Sequence, residues 1–457
     1  MKRKSLILLS TTLIAMSVLS ACGSKSEDAK SSSSPSPTTA AAVTTEKPAK
    51  NVSLKYYNWD NDADAIATKK LIETFESKYP TIKVESISLV PGNSLEALKK
   101  LDVTIASGEQ VDIFKVPNIE ELSARAAQGV LAPLDDLYAK ENVKPEEEYY
   151  INPKYKGKYY GIITDSTPWL VALNADALKE ANLPIPELGW TWDEFRDYAK
   201  KLTKGEGNDK QYGTYFHSWG DYANPIAYTD KVNPYLTADF KSNFMDPSFT
   251  YFFNLRRAME KEDKSTKPFA DVIGAKLSYR TEFLTGKAAM LLTGNFMLTS
   301  MNELDKYPHT FKTVFAPIPR SSKDAEIGLT NIGGTYGAIS NSSKNKDEAY
   351  TFLRYISMET EARTQLSGWK KVDSNALIEK LYGNNKTLID IPTLTSSLYD
   401  KRLKTSVDTE ISVAYAAQLK KIMEDGFSKF ILDNGTVEDT QKWMMEQADL
   451  IIKQNTK

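Results

Sequence analysis

Histidine and cysteine are nearly missing from this chain of 457 residues, which carries two histidines, His217 and His309, and one cysteine, Cys22. A single thiol cannot close an internal disulfide, so the fold has to rest on its apolar core. The histidines have no ligand-type partners at metal-binding spacing, and His217 reads as a loop residue with its hydrogen bonds met; no metal is expected. Neither sign of charge dominates, with 60 acidic against 58 basic residues. That balance lacks the basic footprint of a nucleic-acid binder, and no nucleic-acid partner is expected. No GxxxxGK[ST] phosphate loop occurs, and no cofactor is expected. Long apolar runs are missing as well. The nearest approach, residues 6–9 followed by 11–19, is too short and interrupted for a membrane span.

That run has another use. It follows Lys2, Arg3 and Lys4 and precedes the small residues Ser20 and Ala21, which is the order of a secretion signal; residues 1–21 are expected to be removed. Leu19-Ser20-Ala21-Cys22 resembles the lipobox of bacterial lipoproteins. The resemblance implies cleavage before Cys22, a diacylglycerol and fatty-acid anchor on the mature end, and a position on the outer face of the cell membrane. The plainer reading is a secreted protein whose cysteine happens to stand there. Against it, the chain's only cysteine lies at the one place a lipobox requires. Residues 23–50 are rich in Ser, Thr, Ala, Pro and Lys, with too little apolar surface to offset their ordering entropy. They read with Cys22 as a flexible tether, 22–50, that would hold a domain some tens of Å from the bilayer at roughly 5–6 Å × √n.

The remaining chain is long for one domain, and its 41% hydrophobic content is enough for a real core. Val52, Leu54 and Tyr56 alternate as a strand with one buried face. A helix follows from about Asp62 to Tyr79, with Leu71, Ile72, Phe75 and Tyr79 on one side and Pro80 as its stop. Ile82 and Val84 open a second strand. A helix from Ser94 carries Leu98, Leu101 and Ile105 and closes at Gly108. Val111-Asp112-Ile113-Phe114 is a third strand. This alternation implies a parallel α/β sheet with right-handed crossovers. Further on, 159–165 and 169–173 read as extended segments. Thr191 and Glu194 form a capping box, 288–292 is a strand running into a helix near Asn295, 333–339 is a glycine-rich strand, and 344–357 is a helix. Residues from about 407 to 453 are mostly helical.

Several short motifs then occur in a telling order. They are Lys156-Gly157-Lys158-Tyr159-Tyr160-Gly161, Leu173-Asn174-Ala175-Asp176, Leu183-Pro184 and Trp190-Thr191-Trp192-Asp193-Glu194-Phe195. After these come Phe283-Leu284-Thr285-Gly286-Lys287-Ala288-Ala289-Met290, Phe315-Ala316-Pro317-Ile318-Pro319, and 331–340 followed by the helix 346–353. The series is similar to the family 1 extracellular solute-binding proteins of bacterial ABC importers, the class that includes maltose-binding protein. It covers about residues 50 to 370; the last 80 residues resemble the family only in being helical. The resemblance implies a two-lobed, type II-like periplasmic-binding-protein fold with discontinuous lobes, 51–165 plus 338–385 and 166–337 plus 386–457. Chain crossings would lie near 165–167, 336–339 and about 384–394. It implies a monomer that closes on a carbohydrate, an oligosaccharide above all, and delivers it to separate permease subunits without catalysis.

A sugar ring offers apolar C–H faces and a rim of hydroxyls, which call for aromatic rings and for carboxylates or amides. Ligands in open parallel sheets sit beyond the carboxyl ends of strands. Candidates therefore are Asn58, Trp59 and Asp60 after the first strand, although a turn with a half-buried Trp would look the same. Asp112 is either an acidic contact, as the family often has, or a structural cap. Asp165, Thr167 and Trp169 stand at the first crossing, where Trp169 is equally readable as core. Trp219 and Asp221 lie in a stretch whose counterpart in maltose-binding protein contacts sugar. Asn295 and Phe296 sit at a strand-to-helix junction; the family often has Trp where Phe296 stands. Gly334, Thr335 and Tyr336 form a segment where backbone can approach a ligand closely, and Trp369 follows Gly368 after a helix. Two other function classes fit parts of the pattern. A secreted glycoside hydrolase would need two carboxylates about 5–9.5 Å apart, and the same fold could take a polyamine, a phosphate ester or a peptide.

Overall fold

The computed structural model describes residues 51–230, 232–405 and 413–455. The expected leader, Cys22 and tether lie outside the described residues. Among those described, no helix is long and apolar enough to cross a membrane.

The first described strand lies where the alternation predicts it. Strand β1 (Val52–Asn58) turns Val52, Leu54 and Tyr56 inward. Helix α1 (Asp62–Lys78) starts at Asn61, whose side chain accepts from the Asp64 N–H, and its first-turn acids and last-turn Lys78 suit the helix dipole. It buries Ile72 and Phe75, and the Phe75 ring packs edge-on against Phe352 at 4.9 Å. Strand β2 (Ile82–Ser88), helix α2 (Ser94–Ala106), strand β3 (Ile113–Val116) and helix α3 (Ile119–Ala127) complete the series. β1 lies between β2 and β3 and is parallel to both, as the order of elements implies.

The two extended segments expected at 159–165 and 169–173 are one strand, Ile162–Asn174. Its first half pairs antiparallel with the strand Ile332–Ile339, which also pairs with β3. Its second half pairs antiparallel with Ala288–Gly294 and Thr313–Ala316, and Tyr212–Tyr215 lies parallel to Ala288–Gly294. The sheet is thus mixed, and the long strand runs from one apolar core into others. Ile162, Ile163, Tyr336, Ala338 and Ile339 share a core with β1, β3 and the helix Lys346–Met358. Beyond Pro168 the long strand alternates: Leu170 and Ala172 pack on one face, Trp169, Val171 and Leu173 on the other. Both faces are covered by helices, so this half reads as a continuous apolar run.

The helix Trp192–Leu202 opens with the expected capping box: the Glu194 carboxylate accepts from the Thr191 N–H at 2.7 Å and the Glu194 N–H donates to Thr191 Oγ1 at 3.2 Å. The helices Ala416–Asp433 and Val437–Asn455 pack through Phe427, Phe430 and Met444 onto Phe249 and Phe253. Two readings differ. Asn295–Asn302 is a 3-10 helix, its tighter turns following directly on the strand. The helix Ser374–Tyr382, expected with lobe one, sets Leu377, Ile378 and Tyr382 against Phe283, Leu291 and Phe315 in the second core; its short apolar face carried no sign of which core it would meet.

At the crossing, two glycines leave room for side chains of the neighbouring strand. A Cβ on Gly333 would stand 2.6 Å from Thr167 Oγ1, and one on Gly334 2.6 Å from Ile163 Cδ1. The register also shifts between Thr335 and Tyr336, a bulge that bends the strand where the two cores meet.

Candidate functional site

β1 ends in a turn that sorts its three candidates. The Asn58 amide is consumed by the turn: Nδ2 donates to Ser86 Oγ at 2.8 Å and Oδ1 accepts from the Asp60 N–H at 3.1 Å. The turn leaves Trp59 half-buried and sinks Asp60 to 3% exposure. There Asp60 accepts from Lys115 Nζ at 2.7 Å and from Thr68 Oγ1 at 2.6 Å. The ammonium lies 5.9 Å from the centre of the Trp59 ring. Burial would lower the pKa of Lys115, but Tyr56, Asp60 and Asp165 together outweigh it and hold the amine charged.

At the crossing, Asp165 accepts from Arg363 Nη2 at 2.8 Å. Arg363 also donates to the carbonyls of Ile356 and Glu359, at 3.0 and 2.8 Å, and to that of Thr164. Thr335 lies opposite Asp165, and its carbonyl accepts from Thr164 Oγ1 at 3.1 Å. Thr167 packs against Gly333. Tyr336 is fully buried, its hydroxyl unpartnered among the described residues and its pKa pushed up by burial.

The second core contributes an aromatic nest at the carboxyl ends of Tyr212–Tyr215 and Ala288–Gly294. Trp219 is 39% exposed and rests edge-on against His217, Tyr279 and Phe296, with ring centres 4.7, 5.5 and 6.0 Å away. Tyr222 lies beneath, 5.2 Å from Trp169. Trp169, an open choice from sequence, is 8% exposed and belongs to the core under the nest. His217 Nδ1 meets Tyr215 Oη at 3.0 Å. Burial, aided by the nearby Arg280 charge, pushes its pKa down to about 4, so the ring is neutral at neutral pH and serves as an aromatic wall. Next to Trp219, Asp221 accepts from Lys420 Nζ at 3.0 Å, and the Gly220 N–H donates to Glu424 at 3.0 Å. The helix Ala416–Asp433 therefore holds the loop that carries Trp219. Asn295 is wholly buried beside Phe296, and neither of its amide atoms is hydrogen-bonded among the described residues. Phe296 is half-buried within the nest.

Two candidates lie elsewhere. Asp112 stands at the amino end of β3 and accepts from the Lys55 N–H, Gln110 Nε2 and Ser343 Oγ, at 3.0, 2.6 and 2.5 Å, bracing that edge of the sheet. Trp369 packs against the first core and bridges to Tyr149. Sequence reasoning missed Lys115, Arg363, Lys420, Tyr222 and Tyr279, and Glu120 on α3. Among the described residues no group of three or more His, Cys, Asp or Glu could hold a metal ion.

The ensemble offers an exposed aromatic face backed by rings, and three carboxylate–cation pairs, Asp60–Lys115, Asp165–Arg363 and Asp221–Lys420. That is a surface for stacking and for hydroxyl recognition.

Comparison with known proteins agrees with this architecture. The family model "Bacterial extracellular solute-binding protein" matches residues 59–359. A lipoprotein of Streptomyces antibioticus is 30% identical over 158 residues, 33% of this chain and 34% of that protein, so the chain spans about a third of its length. The sn-glycerol-3-phosphate-binding periplasmic protein UgpB of Escherichia coli K12 is 22% identical over 310 residues, 64% of this chain and 67% of that one. The ABC substrate-binding protein Lmo0181 of Listeria monocytogenes, solved with cycloalternan, superposes over 88% of this chain and all of its own, with a TM-score of 0.73 at 20% identity. The fold is that of the two-lobed substrate-binding proteins, and the chain belongs to the bacterial extracellular solute-binding protein family.

Proposed function

We propose that this protein captures an oligosaccharide between two lobes, one around the β1–β3 core and one around the long strand's second half, and passes it to an ABC permease. The lobes divide near Asp165–Pro168 and Ile332–Tyr336, with the segment from about Val372 onward in the second lobe. The carrying observation is Trp219, with 39% of a large ring system left open on a bed of buried aromatics. What sets it apart from other exposed apolar side chains is its place: it stands beyond the carboxyl ends of two sheet strands, on a bed of aromatic rings, where ligands of α/β sheets sit and where a sugar face can stack. Trp59, Asp60, Thr167, Asp221, Asn295, Phe296 and Thr335 line the reading of the site, with Lys115 and Arg363 as additions.

Charge pairing favours a glycan over a phosphate ester. Lys115 carries Asp60, Arg363 carries Asp165, and Lys420 carries Asp221, so these cations already have carboxylate partners. Anchoring through Cys22 would keep the domain at the outer membrane face beside the permease.

Thermal shift against a panel of gluco-, manno- and xylo-oligosaccharides, from di- to tetrasaccharides, tests the reading. A rise in Tm for one class, with the sugar recovered intact, is expected. Cleaved products would favour an enzyme. A shift with glycerol phosphate and none with sugars would overturn the carbohydrate assignment.

A further inference from the structure

The charged cluster beside Trp219 does not end in the second core. Lys420 Nζ, bound to Asp221 at 3.0 and 3.2 Å, also stands 3.9 Å from Glu120 Oε1. The Tyr235 hydroxyl donates to the same Glu120 oxygen at 3.2 Å. Glu120 belongs to α3, whose Leu122 and Ala126 lie in the first core, whereas Tyr235 and the helix of Lys420 belong to a separate cluster with Phe249 and Phe253, which holds the Trp219 loop through Asp221 and Glu424. α3 starts three residues beyond the end of β3, at the strand edge that also holds Lys115 and Trp59. The contact therefore crosses between the cores on the side where the candidate site lies.

Its surroundings make it consequential. The side chains of Glu120, Lys420 and Asp221 are 17%, 16% and 25% exposed, so water screens them poorly. Burial would lower the Lys420 pKa, but Asp221, Glu120 and Tyr228 together raise it, so the amine is charged across the physiological range. One cation thus faces Asp221 and Glu120, with Glu424 of its own helix also within its field. Asp221 alone neutralises Lys420 on that side of the contact, which leaves Glu120 free to add attraction between cores without being needed to balance a buried charge.

We propose that Glu120 is a positioning residue for solute capture: its contacts with Lys420 and Tyr235 hold the first core against the Trp219 loop and so favour the arrangement that encloses the ligand. The inference rests on the lobe-closure reading above. A binding-competent state populated less often weakens apparent affinity by the same factor. Because the link is broken only when the cores part, the loss appears mainly in the dissociation rate.

Glu120→Gln removes the charge and keeps the shape; Tyr235→Phe removes only the hydroxyl. With the oligosaccharide of the panel above that gives the largest thermal shift, Glu120→Gln is expected to weaken Kd about tenfold, chiefly through faster release, and Tyr235→Phe about threefold. Hydrogen exchange on ligand-free protein supplies a second arm: residues 118–122 and 233–237 should both exchange faster in Glu120→Gln. Affinities within twofold of wild type for both variants, with unchanged exchange, would overturn the proposal. Should Glu120→Gln fail to fold, Tyr235→Phe decides by the same criteria. Should the wild type bind no sugar, the carbohydrate reading fails, and the exchange arm alone still tests whether Glu120 joins the two cores.

Discussion

Replacing Trp219 by alanine should cost affinity out of proportion to its cost in stability. The ring is 39% exposed, which on a Trp surface of roughly 250 Å² leaves about 100 Å² to be covered by a ligand. At about 25 cal/mol per Å² that face contributes up to ~2.5 kcal/mol when a sugar is stacked on it. Ordering costs reduce the net figure, so the expected loss is about 1–2.5 kcal/mol, or about 5- to 70-fold in Kd. Alanine also deletes the edge contacts to His217, Tyr279 and Phe296, so the ligand-free Tm should fall by a few degrees. Trp219→Leu keeps more of that packing while lacking a flat face, and should lose nearly as much affinity with a smaller change in Tm. Isothermal titration with the sugar chosen by thermal shift, beside melting curves without ligand, separates the two effects. Unchanged Kd in both variants would refute the stacking argument. Collapse of the fold in both would mark Trp219 as a core residue.

Other consequences can be checked alongside. His217 takes its proton near 6.5 when unfolded and at about 4 when folded, so the unfolded chain binds more protons between those values and stability falls as pH drops through that window. His217→Phe should flatten that fall by on the order of 2–3 kcal/mol, read from urea midpoints at pH 7 and pH 4; an equally steep loss would refute the assignment. Arg363→Ala leaves Asp165 without its cation and takes a donor from four carbonyls, those of Thr164, Ile356, Glu359 and Gln365, and should cost about 3 kcal/mol in chemical denaturation; a cost below about 1 kcal/mol would contradict it. In Gly294→Ala the new Cβ would stand 2.4 Å from the Phe296 ring, so the ring must move; weaker sugar binding with a folded, cooperative melt is expected, and unaltered affinity would remove Phe296 from the site.

How far the sequence could be read depends on the range of the forces involved. β1, α1, β2, α2 and β3 follow from local periodicity, caps and stops, and the structure has them in the expected order. The Thr191 capping box is a local signal and is present. Trp219 entered as a candidate through the resemblance of its stretch to a sugar-contacting one in the family, and the structure leaves its ring 39% exposed. The charged partners were not legible. Lys115 meets Asp60 across 55 residues, Arg363 meets Asp165 across 198, and Lys420 meets Asp221 across 199; no spacing rule joins such pairs. Trp169 illustrates the opposite difficulty. In a strand covered on both faces, alternation vanishes, and a buried ring cannot be told from a cleft ring by pattern alone. Asp112, early in its strand, stood open from sequence between an acidic contact, as the resemblance implies, and a structural cap; its three hydrogen bonds at the amino end of β3 are of the structural kind.

The most direct test of the central claim is a crystal structure of the protein with the oligosaccharide that stabilises it most. The account predicts one sugar ring face-on against Trp219, hydroxyls within hydrogen-bonding reach of side chains from both cores, and Glu120 still on Lys420. A sugar bound away from the aromatic nest, or touching one core only, would contradict it.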